Sequence, residues 1–270
     1  MEKQRFEEQY RAILLENGLE RFTGTRETDL FERFFMIFFA ENAKTNLSAI
    51  RTATEGIAKH LADCLLAADL FPRNATVLDL GCGGGFPTFP LAVARPDLKI
   101  TAMDSTRKKI DFVAKTAETL GLSNIQAICG RAEDAKWRGL RETFDAVTGR
   151  AVANLRVFTE LALPFVCVGG ALISYKGAQG SAELREAERA IQTLGGAVAE
   201  DRACELHCPV LPETNEKTPQ AATAGEEDGE KNAQPLVFSA ESRHLLVIRK
   251  EKHTPPQYPR AYAAILKNPL

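Results

Sequence analysis

The chain lacks any apolar run near the roughly 20 residues that a bilayer-crossing helix needs. Leu30 to Ala40 comes nearest, and Glu32 and Arg33 interrupt it, so no membrane partner is expected. Cysteine is sparse and scattered: Cys64, Cys82, Cys129, Cys167, Cys204 and Cys208, mostly within apolar runs, offer no disulfide framework. They read as reduced thiols of a cytoplasmic protein. Cys204, His207 and Cys208 fall close together, but on a strand pattern and without a fourth ligand, so no metal is expected. The opening residues, Met1-Glu2-Lys3-Gln4-Arg5, have no apolar signal-peptide core and read as a charged helix start. Internal repeats are lacking, as is any pattern demanding oligomerisation, so a monomer is expected.

An excess of charge is also missing: 34 basic residues face 36 acidic ones, for a net −2. The balance changes when it is divided along the chain. Residues 212–235 carry six acids (Glu213, Glu216, Glu226, Glu227, Asp228, Glu230) against Lys217 and Lys231. Taking that segment's −4 from −2 leaves the remainder at +2, which permits a nucleic-acid partner without demanding one. The segment is rich in Ala, Thr, Glu, Gly and Pro and has no apolar periodicity. It cannot offset its ordering entropy, and a disordered acidic insert is expected there.

With 44% hydrophobic and 26% charged residues over 270 positions, the chain has the composition of a globular protein with ample core. Residues 2–17 and 27–43 place apolar side chains at helical spacing (Phe6, Tyr10, Ile13, Leu14; Leu30, Phe34, Phe35, Phe38). A third helix is predicted over 54–70, with Ile57, Leu61, Leu65 and Leu66 inward. Residues 1–73 therefore read as an N-terminal helical cap. From Ala75 the pattern alternates. Strands are predicted at 75–80, 98–103, 125–129, 144–148 and 170–175. Helices are predicted from about Pro87, at 105–120 with Ser105 as N-cap and Gly121 beyond the end, at 154–166, and at 181–194. Two last strands, about 197–207 and 236–249, flank the acidic insert. Alternation of this kind builds a mostly parallel sheet, and a hairpin across the insert makes the final strand antiparallel. The sheet domain spans 74–250, and 251–270 form a tail.

One stretch carries the chemistry: Val77-Leu78-Asp79-Leu80-Gly81-Cys82-Gly83-Gly84-Gly85-Phe86-Pro87. An apolar strand with an acid stops at a turn where backbone must approach a ligand closely, which glycine permits. Twenty-three residues after Gly81, the second strand ends in Asp104. Strand, glycine turn, helix, strand and acid mark a nucleotide-type cofactor held by its ribose. The spacing departs from Gly-x-Gly-x-x-Gly, and the sheet ends in a hairpin. This combination resembles the class I S-adenosylmethionine-dependent methyltransferases, Rossmann-like enzymes with a mostly parallel seven-stranded sheet and an antiparallel last strand. The resemblance puts Asp79 near the cofactor's methionine and Asp104 near its ribose. An NAD(P)-dependent oxidoreductase of Rossmann type is the alternative within enzymes, and a non-catalytic RNA-binding module on a vestigial fold is the alternative outside them.

Further segments resemble one family, the bacterial 16S ribosomal RNA guanine-N7 methyltransferases, also called glucose-inhibited division protein B. These are Asn46-Leu47-Ser48-Ala49-Ile50-Arg51 with His60 and Asp63, Leu78 through Pro87, Leu91 through Pro96, and Asp104-Ser105 with Lys108-Lys109. Arg131-Ala132-Glu133, Arg150-Ala151 with Leu155, Lys176-Gly177, Arg243 through Ile248, and Tyr258-Pro259-Arg260 with Pro269-Leu270 continue it. Thr45, Cys64 and Gly149 depart from the usual aromatic and the two usual serines. Ala261 through Ala264 lack the glycine and basic residues common in that tail, and compact members have no acidic insert.

The resemblance implies transfer of a methyl group from S-adenosylmethionine to guanine N7 in 16S rRNA or the 30S subunit. Another nucleic acid or a small molecule remains the alternative substrate for the same fold. Gly81, Gly83 and Gly85 wrap the methionine moiety, Phe86 borders it, Ala132 and Glu133 meet the adenosine end, and Arg150 lies where cofactor and substrate join. Asn46, Arg131, Lys176, Arg243 and His244 are candidates for the RNA side. His60 and Asp63, three apart on a helix, are expected to touch each other structurally. The cluster Arg107-Lys108-Lys109 at a helix start reads as solvated charge. Guanine N7 carries a lone pair and no proton, so no catalytic acid or base is expected. Positioning carries the reaction.

Overall fold

The computed structural model describes residues 3–210 and 236–270. The acidic insert expected at 212–235 lies outside the described residues. Seven strands form one sheet: β1 Thr76–Leu80, β2 Lys99–Asp104, β3 Ile125–Cys129, β4 Phe144–Arg150, β5 Val166–Lys176, β6 Gly196–Pro209 and β7 Phe238–Lys250. Their order is β3-β2-β1-β4-β5-β7-β6. β1 to β5 run parallel, and β7 runs antiparallel to both β5 and β6. β1 lies at the centre of the five parallel strands with Val77 to Leu80 buried, because helices cover both faces of a parallel sheet. The glycine turn after β1, Asp104, Gly130, Arg150 and Lys176 all leave the sheet at its carboxyl edge.

One apolar cluster runs from the N-terminal helices Lys3–Glu16 and Thr25–Thr45 into one sheet face. Phe6, Tyr10, Ile13 and Leu14 are all buried, as the spacing predicts; on the second helix Phe31 is fully buried and Leu30 packs half-buried against the same cluster. Phe34 meets the rings of Phe86 and Phe89 at 5.3 and 4.6 Å, and Phe38 meets Phe86 at 5.2 Å. The phenylalanine stripe therefore fastens this helix to the segment that carries the glycine turn. Asn42, buried on the same helix, accepts from the Ser48 N–H and donates to the Ile50 carbonyl, shaping the loop that follows.

The predicted helix over 54–70 is not a single element. Thr52 caps it, a π-helical turn occupies Gly56–Ala62, and a separate 3₁₀ turn forms at Ala68–Leu70. A Cβ on Gly56 would stand 2.8 Å from the Phe35 ring, so glycine allows the close packing there. Arg150, reaching across from β4, donates to the Lys59 carbonyl within the π turn. Other boundaries also shift. The helix over 105–120 starts at Arg107 after Thr106, not with Ser105 as cap, because Asp104 Oδ1 already receives the Thr106 N–H. Gly121 ends that helix at φ +69. The helix predicted over 154–166 stops at Ala162, and Val166 begins β5. The helix after Gly85 starts at Thr88, one residue beyond Pro87.

A second apolar cluster fills the other face. It includes the helices Leu155–Ala162 and Gly180–Thr193 and the final helix Tyr262–Lys267. The final helix is fastened by charge as well as by Ile265. Arg260 forms a two-pronged pair with fully buried Glu160 at 2.8 and 2.6 Å. Arg141 donates to the carbonyls of Thr254, Pro255 and Tyr258. Arg156 donates to the carbonyls of Pro269 and Leu270.

Candidate functional site

Backbone geometry makes the glycine turn. Gly81, Gly83 and Gly85 take φ of +78, +55 and +90, a region that L side chains disfavour. A Cβ at Gly81 would meet Val152 at 2.9 Å, and one at Gly85 would meet the Phe89 ring at 2.3 Å. The N–H groups of Gly81 and Cys82 both return to the Met103 carbonyl, which ties the turn to the end of β2. Asp79 lies beneath it, fully buried. Its Oδ2 accepts from the N–H and hydroxyl of Thr88, holding the start of the next helix. Its Oδ1 has no hydrogen-bond partner among the described residues. Burial pushes this carboxyl up to about 7.

Asp104 ends β2 with its carboxylate almost covered. Oδ2 accepts from the Gly83 N–H at 3.1 Å and Oδ1 from the Thr106 N–H at 2.8 Å. Each oxygen accepts one bond there and retains acceptor capacity. Asp104 borders a cleft of about 280 Å³ with Gly81, Met103, Ala132, Glu133, Val152 and Tyr262. A neighbouring hollow of about 580 Å³ shares Ala132 and Glu133 and is bordered by Tyr258.

On the other side of residues 150–153 lies a more polar cavity of about 720 Å³. Lys59, Arg150, Lys176 and Arg243 line it against Asp63 and Glu183, an excess of two positive charges. Asp63 bridges two arginines, with Oδ2 receiving Arg150 at 2.9 Å and Oδ1 receiving Arg243 at 2.8 Å. Arg150 also donates to His60 Nδ1 at 2.6 Å and lies 5.7 Å from the Phe86 ring centre. A guanidinium only donates, so His60 Nδ1 accepts and Nε2–H faces the Ser48 hydroxyl at 2.7 Å. Burial, then the Arg150 charge, lowers the His60 pKa to about 3, which keeps the imidazole neutral. Lys176 donates to the Ala153 carbonyl and to Glu183, whose carboxylate accepts from the Leu155 N–H at the start of the next helix.

The predicted site residues thus divide. Gly81, Asp104, Ala132 and Glu133 line the smaller cleft, and Arg131, predicted for the RNA side, lines it too, 3.8 Å from Glu133. Asp79 and Phe86 lie outside both linings, Asp79 beneath the turn and Phe86 within the aromatic packing. Gly83 likewise borders neither cavity, but its N–H reaches Asp104. Arg150 faces the polar cavity and clasps the cap helix. Its partners are His60 and Asp63, so these two converge on Arg150 instead of bonding each other as expected. His244 is tucked against Asp201 and Ser181 at the start of the helix Gly180–Thr193, away from the cavity. Asn46 closes the helix Thr25–Thr45 in the left-handed region and accepts from Arg51. Lys109 lies 3.9 Å from Asp104, and Arg107 lies 4.0 Å from Asp111. On β6, alternation turns His207 away from Cys204 and Cys208, toward Glu16 and Glu205. Sequence reasoning missed Lys59, Glu183 and Tyr262. Only Lys59, adjoining His60 in the motif, left a trace that reading could have used.

The glycine turn after β1, the acid closing β2 and the antiparallel ending of the sheet make this a class I S-adenosylmethionine-dependent methyltransferase. The fold is shared with the YcgJ protein of Bacillus subtilis, at a TM-score of 0.51 over 72% of this chain and all of that one, with 16% identity. Residues 27–208 match the model of the GidB family, rRNA small subunit methyltransferase G, and the chain belongs to that family. Proteins named ribosomal RNA small subunit methyltransferase G are similar over nearly the whole length. The one from Lactococcus lactis subsp. lactis is 37% identical, covering 89% of this chain and 90% of its own. The one from Limosilactobacillus fermentum is also 37% identical, covering 97% and 98%. The one from Deinococcus deserti is 38% identical, covering 90% and 88%. Among the described residues no helix is long and apolar enough to cross a membrane.

Proposed function

We propose that this protein methylates N7 of a guanine in 16S ribosomal RNA of the small subunit, in the cytoplasm and as a monomer. The observation that carries the reading is the pairing of two cavities across residues 150–153: an Asp104-bordered cleft beside a glycine turn, and a cation-rich cavity beside it. The residues of the smaller cleft suit S-adenosylmethionine. Positive-φ glycines leave room at the turn, and Asp104 keeps free acceptor capacity for ribose hydroxyls. When bound there, the cofactor supplies an electrophilic methyl on its sulfonium.

Gly81, Gly83 and Gly85 let the backbone follow the methionine moiety, and Asp79, beneath them, holds their geometry through Thr88. Ala132 and Glu133 face the adenosine end. In the polar cavity, Lys59, Lys176 and Arg243 attract the RNA backbone, since ammonium and guanidinium groups pair with phosphate. Arg150 fixes the cap helix through Asp63 and His60. His60 is neutral and so is no general acid, and the reaction asks for none, because N7 attacks through its lone pair. Asp104 and the cation-rich wall therefore act by alignment, which contributes several kcal/mol without proton transfer. The target base must be unstacked to reach the cavity. In domain terms, 1–73 cap the site, 74–250 build the sheet domain and 251–270 return over it.

Radiolabelled methyl transfer to assembled 30S subunits and to naked 16S rRNA, with the product base mapped, tests the reading. Asp104→Ala is expected to lose cofactor binding by isothermal titration. Lys59→Ala and Lys176→Ala are expected to keep it and lose methyl transfer. Absence of transfer to either RNA substrate, with cofactor bound, refutes the proposed substrate.

A further inference from the structure

We propose that Tyr262, supplied by the C-terminal segment, is a cofactor-contacting residue that forms the aromatic wall for the adenine ring. This rests on reading the smaller cleft as the cofactor site. Asp104 offers only acceptors on one side of that cleft, which suits sugar hydroxyls. The same lining includes apolar Ala132, Val152 and Leu161 together with Tyr262. Among the described residues no other one in this lining is aromatic. A flat purine next to the ribose is the part of the ligand that such a surface fits.

The placement of Tyr262 is built in. The segment that carries it is fastened on both sides. Before it, the Arg260 guanidinium pairs with buried Glu160 on the helix Leu155–Ala162. After it, Arg156 of the same helix donates to the carbonyls of Pro269 and Leu270. Between these ties Ile265 is fully buried in the apolar cluster that also receives Tyr262. The helix Leu155–Ala162 thus contributes Leu161 to the cleft and at the same time grips the segment that brings Tyr262 to it. The departures at Ala261 through Ala264 gain a meaning here: this tail presents a ring to the cofactor instead of basic side chains to RNA.

Isothermal titration of S-adenosylhomocysteine and of 5′-methylthioadenosine into the full chain tests this, because both ligands carry the adenine. Tyr262→Ala is expected to weaken both by roughly tenfold, the usual size of a lost base-stacking surface. Tyr262→Phe, which keeps the ring, stays within about threefold by the same reasoning. Leu266→Ala, exposed on the same short helix, controls for damage to the helix and leaves binding unchanged. A Tyr262→Ala protein that melts like the parent and binds both ligands within about twofold overturns the proposal. If the parent and Asp104→Ala bind S-adenosylhomocysteine equally, the cofactor reading of the cleft fails, and the proposal with it. If Asp104→Ala loses binding and Tyr262→Ala does not, the proposal alone fails.

Discussion

Replacing Asp63 with asparagine keeps the shape of the side chain and removes a charge held between two guanidinium groups. Its carboxylate is 9% exposed, and its partners Arg150 and Arg243 are 16% and 18% exposed, so solvent screens the trio poorly. Removing one member of such a buried pair typically costs about 3–5 kcal/mol, because the remaining charge is left uncompensated. Asparagine keeps one oxygen acceptor, and Arg243 keeps Glu241 at 2.8 Å, so the lower end of that range applies, about 3 kcal/mol. For a chain of this size that corresponds to a fall in Tm of roughly 6–12 °C. Urea unfolding at neutral pH measures the loss directly as a shift of midpoint at constant slope. A double-mutant cycle gives the sharper test. Adding Arg243→Gln to Asp63→Asn removes one of the two cations that Asp63 bridges, and the pair should couple by about 1–3 kcal/mol. Loss of less than about 1 kcal/mol in the single variant, or additive effects in the cycle, refutes the view that Asp63 neutralises both arginines.

Asp79 gives a pH prediction. Burial raises its carboxyl from 3.8 to about 7, so the native state holds a proton that the unfolded chain releases between those values. Stability therefore falls as pH rises through that window, by up to roughly 4 kcal/mol from this residue. Subtracting the stability curve of Asp79→Asn from that of the parent between pH 4 and 8 should show that slope, and a flat difference refutes it. Phe34→Ala deletes a fully buried ring packed on Phe86 and Phe89 and is expected to cost about 3–5 kcal/mol in urea unfolding. Met36→Ala, 59% exposed on the same helix, should change stability by less than about 0.5 kcal/mol.

The sheet was legible because its signals are local. A buried strand reads as an apolar run, a positive-φ turn reads as glycine, and Asp104 closes β2 where alternation ends. The hairpin ending could be inferred because no helical period separates the last two strands. The partners of charged groups were not legible in the same way. Arg150 meets the carbonyl of Lys59, 91 positions earlier in the chain, and Arg243 meets Asp63, 180 positions away. Nothing in residue spacing encodes such pairings. His60 and Asp63 are correctly spaced to touch on a helix, but the π turn at Gly56–Ala62 changes their aim, and Arg150 offers each a stronger partner. Tyr262 escaped notice for a related reason. It sits in the C-terminal tail, and contacts far apart in sequence, such as the Glu160–Arg260 pair spanning 100 residues, bring it to the cleft.

The junction between the two cavities has its own signature in the backbone. Ala151 takes φ +56, a left-handed conformation that costs a residue with a Cβ on the order of 1 kcal/mol or more. The neighbours on either side explain why it persists. Arg150 is held toward the cap by Lys59, His60 and Asp63, while Val152 lies against Gly81 on the side of the smaller cleft. Two residues farther along, the Ala153 carbonyl takes Lys176, and Asn154 caps the next helix. A regular extended strand would put Arg150 and Val152, two residues apart, on the same sheet face. The left-handed residue instead separates Arg150 from Val152 so that one lines the polar cavity and the other the smaller cleft. Four anchored residues over-determine the strained one between them. The register of the two cavities is set by this turn rather than by any single side chain that lines them, and under the proposed function it fixes how far a methyl donor stands from a base.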